Sequence, residues 1–308
     1  MNLRVCFEMR GYPPKGLSRL PSSGTEEAGS RDSGRLPSYS PRLAVAKFIL
    51  QRLLQYLIAG ALLIASAPGA GAAPSAQAIL AASDTIRNPD KPFALTVTLV
   101  EYRNSKQVDS NTLTVYSKAD ANSGQFRSLI RFVAPARDAN KLMLKNGNDL
   151  WFFDPSSKAS IRLSPQQRLL GQAANGDVVT VNLAKDYQAQ IAAEESVLDG
   201  DRQNRRCYKL ALAAVSADVT YHHIEMWLDA GNSRPVKARF YTESGQLLKS
   251  AYYRRYQPQL GVERPTETVI IDGLDPNWVT VMRFSDYAWR EVPEVWLQRD
   301  YLPRFKPE

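Results

Sequence analysis

The chain has 308 residues, a mass of 34.4 kDa and a formal net charge of +8 at pH 7. Residues 1–73 hold nine Lys/Arg and four Asp/Glu, so most of this charge lies there, and the remaining residues carry a net charge of +3. Because no basic cluster interleaved with aromatic residues follows residue 73, the sequence does not indicate nucleic-acid binding.

The first 73 residues are predicted to lie outside the folded domain. Residues 1–41 are rich in Gly, Pro, Ser and charge, which predicts a disordered extension or a start codon placed too far upstream. Residues 42–73 are typical of a secretory signal peptide: three basic residues precede an apolar run, and small residues follow up to Ala73. The run is shorter than the roughly 20 residues of a membrane span. We expect cleavage that leaves Pro74 at or near the mature N-terminus, with an uncleaved anchor as the alternative.

The mature chain begins with one helical pattern and continues as strands. Apolar residues at helical spacing in 75–87, followed by Asn88-Pro89, predict an amphipathic helix. From Phe93 onward, apolar and polar residues alternate in about a dozen segments separated by turn signals, the pattern of a large antiparallel sheet. The clearest strand segments are 93–103, 111–118, 125–135, 222–229, 235–241, 246–256, 266–272 and 278–286.

Residues 164–186 interrupt the alternation. Ser164-Pro165 predicts a helix start before residues 166–170, and a second short helix is predicted within 178–186. We expect this insertion to be a lid that is more mobile than the flanking strands, because no large apolar residue lies between Leu170 and Val178 to anchor it. The candidate lid residues are Leu169, Leu170, Val178 and Val179.

So many strands with apolar faces need more cover than two short helical segments provide. The sheet is therefore expected to curl into an incomplete barrel that encloses an apolar cavity. Trp151, Phe152 and Phe153 place large groups on both faces of one strand. We expect Trp151 and Phe153 to face the cavity, so that a charge at Phe153 blocks ligand uptake while a charge at Phe152 damages folding. The candidate cavity residues are Leu95, Val97, Phe132, Leu142, Leu144, Trp151, Phe153, Met226, Leu228 and Phe240.

The residues that could carry catalysis or bind a metal do not form a recognisable pattern. The sequence has no nucleophile-elbow, phosphate-loop or zinc-protease motif. His222 and His223 are adjacent, so on a strand they point to opposite faces and cannot share a metal. Asp199 and Asp201 flank a turn glycine and are predicted to cap a hairpin. Cys207, the single cysteine after residue 73, is predicted to be a small strand residue. We therefore predict no enzyme, no metal, no cofactor and a monomer.

One stretch carries a family likeness: RFVAPARDANKLMLKNGNDLWFFDPSSKASIR, residues 131–162. It contains an Arg-Phe strand, a proline, a leucine-rich strand, and then a Trp-aromatic-aromatic-x-Pro strand with a basic residue beyond it. Further along, a Trp-x-Asp strand leads through a turn to a Pro-x-Lys strand and a Ser-Gly hairpin. In these motifs the chain resembles the outer-membrane lipoprotein-sorting family, the LolA/LolB-like group. The likeness extends over nearly all of 75–290.

The resemblance implies that residues 74–308 form a single LolA/LolB-like lipid-binding domain, an incomplete barrel whose apolar cavity carries acyl chains in the periplasm. We interpret the protein as a carrier or chaperone for the acyl chains of lipoproteins or for lipids, with a transport partner in the inner or outer membrane. The alternative is a non-catalytic sensor or accessory module of similar fold that binds an envelope protein or a hydrophobe exporter. A carrier takes up a fluorescent fatty acid on its own, whereas a sensor needs a protein partner.

Overall fold

The computed structural model describes residues 74–306, so the predicted extension (1–41) and signal peptide (42–73) lie outside the described residues. Before the insertion the strands are β1 Phe93–Arg103, β2 Lys106–Ala119, β3 Phe126–Ala134, β4 Leu142–Asn146, β5 Asp149–Asp154 and β6 Ala159–Arg162. Two short strands lie within the insertion: β7 Arg168–Leu170 and β8 Ala173–Ala174. The strands after it are β9 Tyr187–Leu198, β10 Asn204–Ala214, β11 His223–Asp229, β12 Pro235–Tyr241, β13 Leu247–Gln259, β14 Val262–Asp272 and β15 Trp278–Trp289. The helices are α1 Ala76–Arg87 and α2 Leu183–Asp186, and 3-10 turns occur at Ala136–Asp138, Asn175–Asp177, Glu294–Leu297 and Arg299–Arg304.

All strands except β7 and β8 form one antiparallel sheet of 13 strands. Strands β1 to β6 are paired in chain order, as are β9 to β15, and β1 pairs with β15 to join the two series. The sheet does not close, and β6 and β9 are its two edges. The predicted mainly β fold, one large curled antiparallel sheet with few helices, is confirmed.

Helix α1 packs on one face of this sheet, which we call the inner face. The Ser75 hydroxyl accepts a hydrogen bond from the Ala78 amide and begins the helix. Its apolar side, with Ile79 and Leu80, is buried in the inner core. At the other end, the Arg264 guanidinium from β14 donates to the carbonyl oxygens of residues 85 and 86 at 3.1 and 2.7 Å. These bonds satisfy carbonyl groups that a helix end leaves without partners, and they hold α1 against the sheet.

The opposite face, the outer face, carries a second core under the C-terminal segment, residues 292–305. Trp296 packs edge-on against Tyr116 of β2, with ring centroids 5.4 Å apart, and against Phe305 at 5.0 Å. The sheet residues buried in this outer core are Tyr116, Leu129, Leu142, Leu144 and Phe153, with Trp151 partly buried beside them. The C-terminal segment therefore covers part of the outer face of β2 to β5.

The assignment of Leu142, Leu144, Trp151 and Phe153 to the cavity is wrong, because all of them lie on the outer face. Leu142 is paired with Phe153, and Leu144 with Trp151, so the register places them on one side of the sheet. Phe152 points to the inner face, where its ring meets Phe132 edge-on at 6.0 Å. A strand that is apolar on both faces does not indicate which side is inner, and the cover that the C-terminal segment gives to the other side was not predicted from the sequence.

Residues 164–186, which we call the strap, cross the inner face. The helix predicted at 166–170 is wrong, because β7 and β8 form a two-stranded hairpin there. Of the second predicted helix only the four residues of α2 are helical. Gly171 connects β7 and β8 with a φ of +54°, and a Cβ at this position would lie 2.3 Å from the Thr280 hydroxyl oxygen. Only glycine allows the strap to approach the sheet this closely.

The strap is anchored to the sheet, which contradicts the reason for which we expected it to be mobile. Gln172, Ala173 and Asn175 are buried although none is a large apolar residue. The Gln172 amide donates to the Thr280 hydroxyl of β15 at 2.8 Å. Small side chains thus allow close backbone approach, and hydrogen bonds take the place of an apolar anchor.

Candidate apolar ligand site

A cavity of about 180 Å³ lies between the strap and the inner face of the sheet. Its sheet wall is largely apolar and comes from both halves of the sheet: Leu95 and Val97 from β1, Phe240 from β12, Ala251 from β13, Ile270 from β14 and Met282 from β15. Its other wall is the strap from Gly176 to Val181, together with parts of α2. The arrangement provides an apolar pocket that is partly filled by a segment of the same chain.

The predicted site residues divide between three places. Those in the cavity wall are Leu95, Val97, Phe240, Val178 and Val179. Those in the inner core that do not line this cavity are Phe132, Met226, Leu228, Leu169 and Leu170. Those on the outer face are the β4 and β5 residues already described. The structure therefore brings together the wall residues of β1 and β12 with the second half of the strap.

The cavity wall also holds a buried ion pair that was not predicted from the sequence. The Lys249 side chain points inward from β13, is 3% exposed, and contacts the Asp177 carboxylate of the strap. Its ammonium group also donates to the carbonyl oxygen of Gln172 at 2.9 Å. Burial lowers the pKa of Lys249, and the charge of Asp177 opposes this change. The alternation of β13 places Lys249 on the same face as Ala251, and this was the available sequence signal.

Asp177 accepts hydrogen bonds from two further donors. The Tyr221 hydroxyl donates to Oδ1 at 2.9 Å, and the Ala174 amide donates to Oδ2 at 2.7 Å. Burial raises the pKa of Tyr221, and the adjacent Asp177 carboxylate adds to this effect. A further hydrogen bond fixes the backbone of Tyr221, because the Tyr187 hydroxyl donates to the Tyr221 carbonyl oxygen at 2.8 Å. The Asp177 carboxylate is thus bound inside the domain by the Lys249 ammonium group, the Tyr221 hydroxyl and the Ala174 backbone amide.

Helix α1 holds the far end of the strap. Arg87 and Asn88 both donate to the carbonyl oxygen of Val181, at 3.0 and 2.8 Å. The Asp84 carboxylate accepts from the Ala184 amide at 2.7 Å and lies 3.4 Å from the Arg87 guanidinium. Burial raises the pKa of Asp84, although Arg87 partly offsets this. The strap is therefore attached in its middle by Lys249 of the sheet and towards its C-terminal end by α1 and Asn88.

Asp199 and Cys207, which were also considered in the sequence, both have structural roles. Asp199 accepts from the amides of residues 201 and 203 in the β9–β10 turn, at 2.9 and 2.8 Å, so its predicted hairpin role is confirmed. Cys207 is a free, buried strand residue that packs against Trp227 and Val236, and burial raises the pKa of its thiol to about 12.

Within residues 74–306 no three His, Cys, Asp or Glu side chains are grouped so that they could hold a metal ion. In the same range no helix has the length and apolar character needed to cross a bilayer.

The fold is that of an open antiparallel half-barrel, and known structures share this fold. A LolA superfamily protein from Nitrosomonas europaea is 35% identical, with a TM-score of 0.66 over 74% of this chain and 99% of that chain. A DUF1329 family protein from Desulfovibrio piger is 18% identical, with a TM-score of 0.63 over 74% of this chain and 97% of that one. An outer membrane lipoprotein-sorting protein domain from Vibrio parahaemolyticus is 17% identical, with a TM-score of 0.61 over 74% and 98% of the two chains.

The chain belongs to the LolA superfamily. A family model described as that of an "Uncharacterized protein"-like group matches residues 124–304. The search of curated proteins gives no match. The family resemblance stated from the motifs of residues 131–162 is confirmed.

Proposed function

We propose that the protein is a non-catalytic periplasmic carrier that binds acyl chains of lipoproteins or lipids between the strap and the inner face of the sheet. The observation that carries this proposal is the apolar cavity walled by β1 and β12 to β15. Each methylene group that leaves water for such a wall contributes about 0.8 kcal/mol, so a chain of moderate length is held without specific polar contacts. The predicted signal peptide at 42–73 supports export, and a membrane transport partner would deliver or accept the cargo.

The size of the cavity requires that the strap moves when a ligand enters. Ligand pockets for small molecules usually measure roughly 300–1,000 Å³, whereas this cavity measures about 180 Å³. Val178 and Val179 are buried in the inner core at the place where an acyl chain would lie. During uptake, the acyl chain of the ligand would therefore replace the apolar side chains of the strap against the sheet. On release, the strap would return to the sheet.

A bulky substitution in the sheet wall should block uptake. Ala251 is 2% exposed and lines the cavity, so Ala251→Trp is expected to fill the space where the ligand binds. The measurement is the fluorescence of a dansylated undecanoic acid titrated with the protein, and we expect at least a tenfold weaker Kd, equivalent to about 1.4 kcal/mol. Overpacking itself costs typically about 1–3 kcal/mol of stability, so thermal melting is recorded in parallel.

The matched control is Ser250→Trp, at the preceding residue of β13, whose side chain points to the outer face. It should bind the fluorescent acid as the unsubstituted protein does. If Ala251→Trp stays folded and binds with unchanged affinity, the ligand lies elsewhere and the proposed site is wrong.

Hydrogen exchange should report the movement of the strap. In the ligand-free protein the amides of Gln172 and Asn175 are hydrogen-bonded, to the Thr280 hydroxyl and to the Gln167 carbonyl at 2.9 Å or less. We expect these amides to exchange slowly without ligand and faster when dodecanoate is bound, because the ligand displaces the strap. The measurement is mass-spectrometric exchange of peptides covering 170–181.

Peptides from β14 serve as the internal control, since this strand is paired on both sides and its exchange should not rise with ligand. Slower exchange of 170–181 on dodecanoate binding would contradict displacement and indicate that the strap closes over the ligand instead.

A further inference from the structure

In the cavity, the strap resembles an anionic amphiphile, because it presents a charged group followed by apolar groups. A carboxylate, that of Asp177, is followed directly by the apolar side chains of Val178 and Val179. The carboxylate lies against Lys249 of β13 and accepts from the Tyr221 hydroxyl, while both valines are buried in the inner core.

Two of the donors around this carboxylate do not belong to the strap. Lys249 and Tyr221 contact different oxygens of Asp177, Oδ2 and Oδ1 respectively. The Lys249 ammonium also lies 4.9 Å from the centre of the Tyr221 ring and 5.4 Å from that of Phe240, positions that favour a cation. These wall residues therefore form a receiving site for a carboxylate, whichever molecule supplies it.

Displacement of the strap removes the counter-charge of Lys249. A buried ammonium without a partner is unfavourable, so a ligand with a neutral head group would leave this cost in place. A ligand with an anionic head group would restore the ion pair and the hydrogen bond from Tyr221. The second cation of the cavity wall, Arg87, keeps its ion pair with Asp84 when the strap is displaced, because both residues belong to α1.

We infer that the cavity selects acyl ligands with an anionic head group, a carboxylate or a phosphate monoester, which replaces Asp177 between Lys249 and Tyr221. This inference rests on the proposed carrier function and names the ligand class for the same site. Lys249 and Tyr221 are then specificity-determining residues, and Asp177 is a built-in competitor of the ligand.

The test is displacement of a neutral fluorescent probe, N-phenyl-1-naphthylamine, by three ligands of equal chain length: dodecanoate, dodecyl phosphate and dodecanol. Charge-assisted hydrogen bonds are stronger than neutral ones, so the unsubstituted protein should bind at least one of the anions roughly tenfold or more tighter than dodecanol. The tighter anion identifies the head group. The double variant Lys249→Met/Asp177→Asn removes both charges together. It should lose this preference and bind the anions and dodecanol about equally.

Tyr221→Phe, which keeps the ring and removes the donor, should reduce the same preference by a smaller factor than the double variant. Equal binding of all three ligands, or an anionic preference that persists in the double variant, would overturn the inference while leaving the carrier function intact. Failure of the probe and of all three ligands to bind would overturn the carrier function and the inference with it.

Discussion

Phe153→Glu is expected to unfold the protein or to lower its melting temperature strongly. Phe153 is 4% exposed on the outer face, where it is paired with Leu142 and shares an apolar core with the C-terminal segment, residues 292–305. Loss of a buried phenylalanine ring alone costs about 3–5 kcal/mol, and a charge without a partner in this apolar core adds to that cost. For a domain of this size such a loss corresponds to about 6–20 °C in Tm. The measurement is thermal melting followed by circular dichroism.

The control for this variant is Ile161→Glu on the adjacent strand β6, because Ile161 is 52% exposed and a charge there remains in water. Its Tm should change by no more than a few degrees. The sequence alone predicted the reverse for Phe153→Glu, a folded protein that no longer takes up lipid. If that variant melts like the unsubstituted protein, the outer core under residues 292–305 does not contribute as described.

Asp177→Asn is expected to be the most destabilising conservative substitution in the strap. It removes the counter-charge of Lys249, which is buried between the strap and the rings of Tyr221 and Phe240. Breaking a buried pair by removing one partner typically costs about 3–5 kcal/mol, because an uncompensated charge is left inside the protein. The measurement is urea unfolding, in which the midpoint should fall while the slope stays unchanged.

Lys249→Met should cost less than Asp177→Asn. Without Lys249, the Asp177 carboxylate still accepts hydrogen bonds from Tyr221 and Ala174, and methionine retains much of the lysine stem in contact with the cavity wall. The double variant carries no charge at either position, so it should regain part of the stability that Asp177→Asn loses, as replaced buried pairs often do. Strictly additive losses in the two single variants and the double variant would show that the pair does not couple the strap to the sheet.

The predicted strands agree with the observed sheet because their signal is local. In β1, Phe93, Leu95 and Val97 alternate with partly exposed neighbours, and the observed burial follows the same period. In β11, Met226 and Leu228 are likewise buried on one face. Turn residues such as Asp199 determine hairpins through bonds to amides within a few residues. Short-range patterns of this kind are fully contained in the sequence.

The strap and the two sides of β5 depend instead on residues far away in the chain. Gly171 and Gln172 form a hairpin against Thr280, more than 100 residues later, so their own sequence, which resembles a loop or a helix start, does not indicate burial. Phe152 and Phe153 are equally apolar, and the side that each one faces is decided by Phe132 on the inner side and by the C-terminal segment, residues 292–305, on the outer side.

The sequence by itself therefore determined the fold class, the main strand segments and the family, because each rests on alternation and motifs within a strand or two. Only the tertiary structure decided which face of β4 and β5 is inner, because the C-terminal segment covers the outer one. It also decided that Lys249 meets Asp177, since a charge on an inward strand position is favourable only where a distant segment supplies its counter-charge.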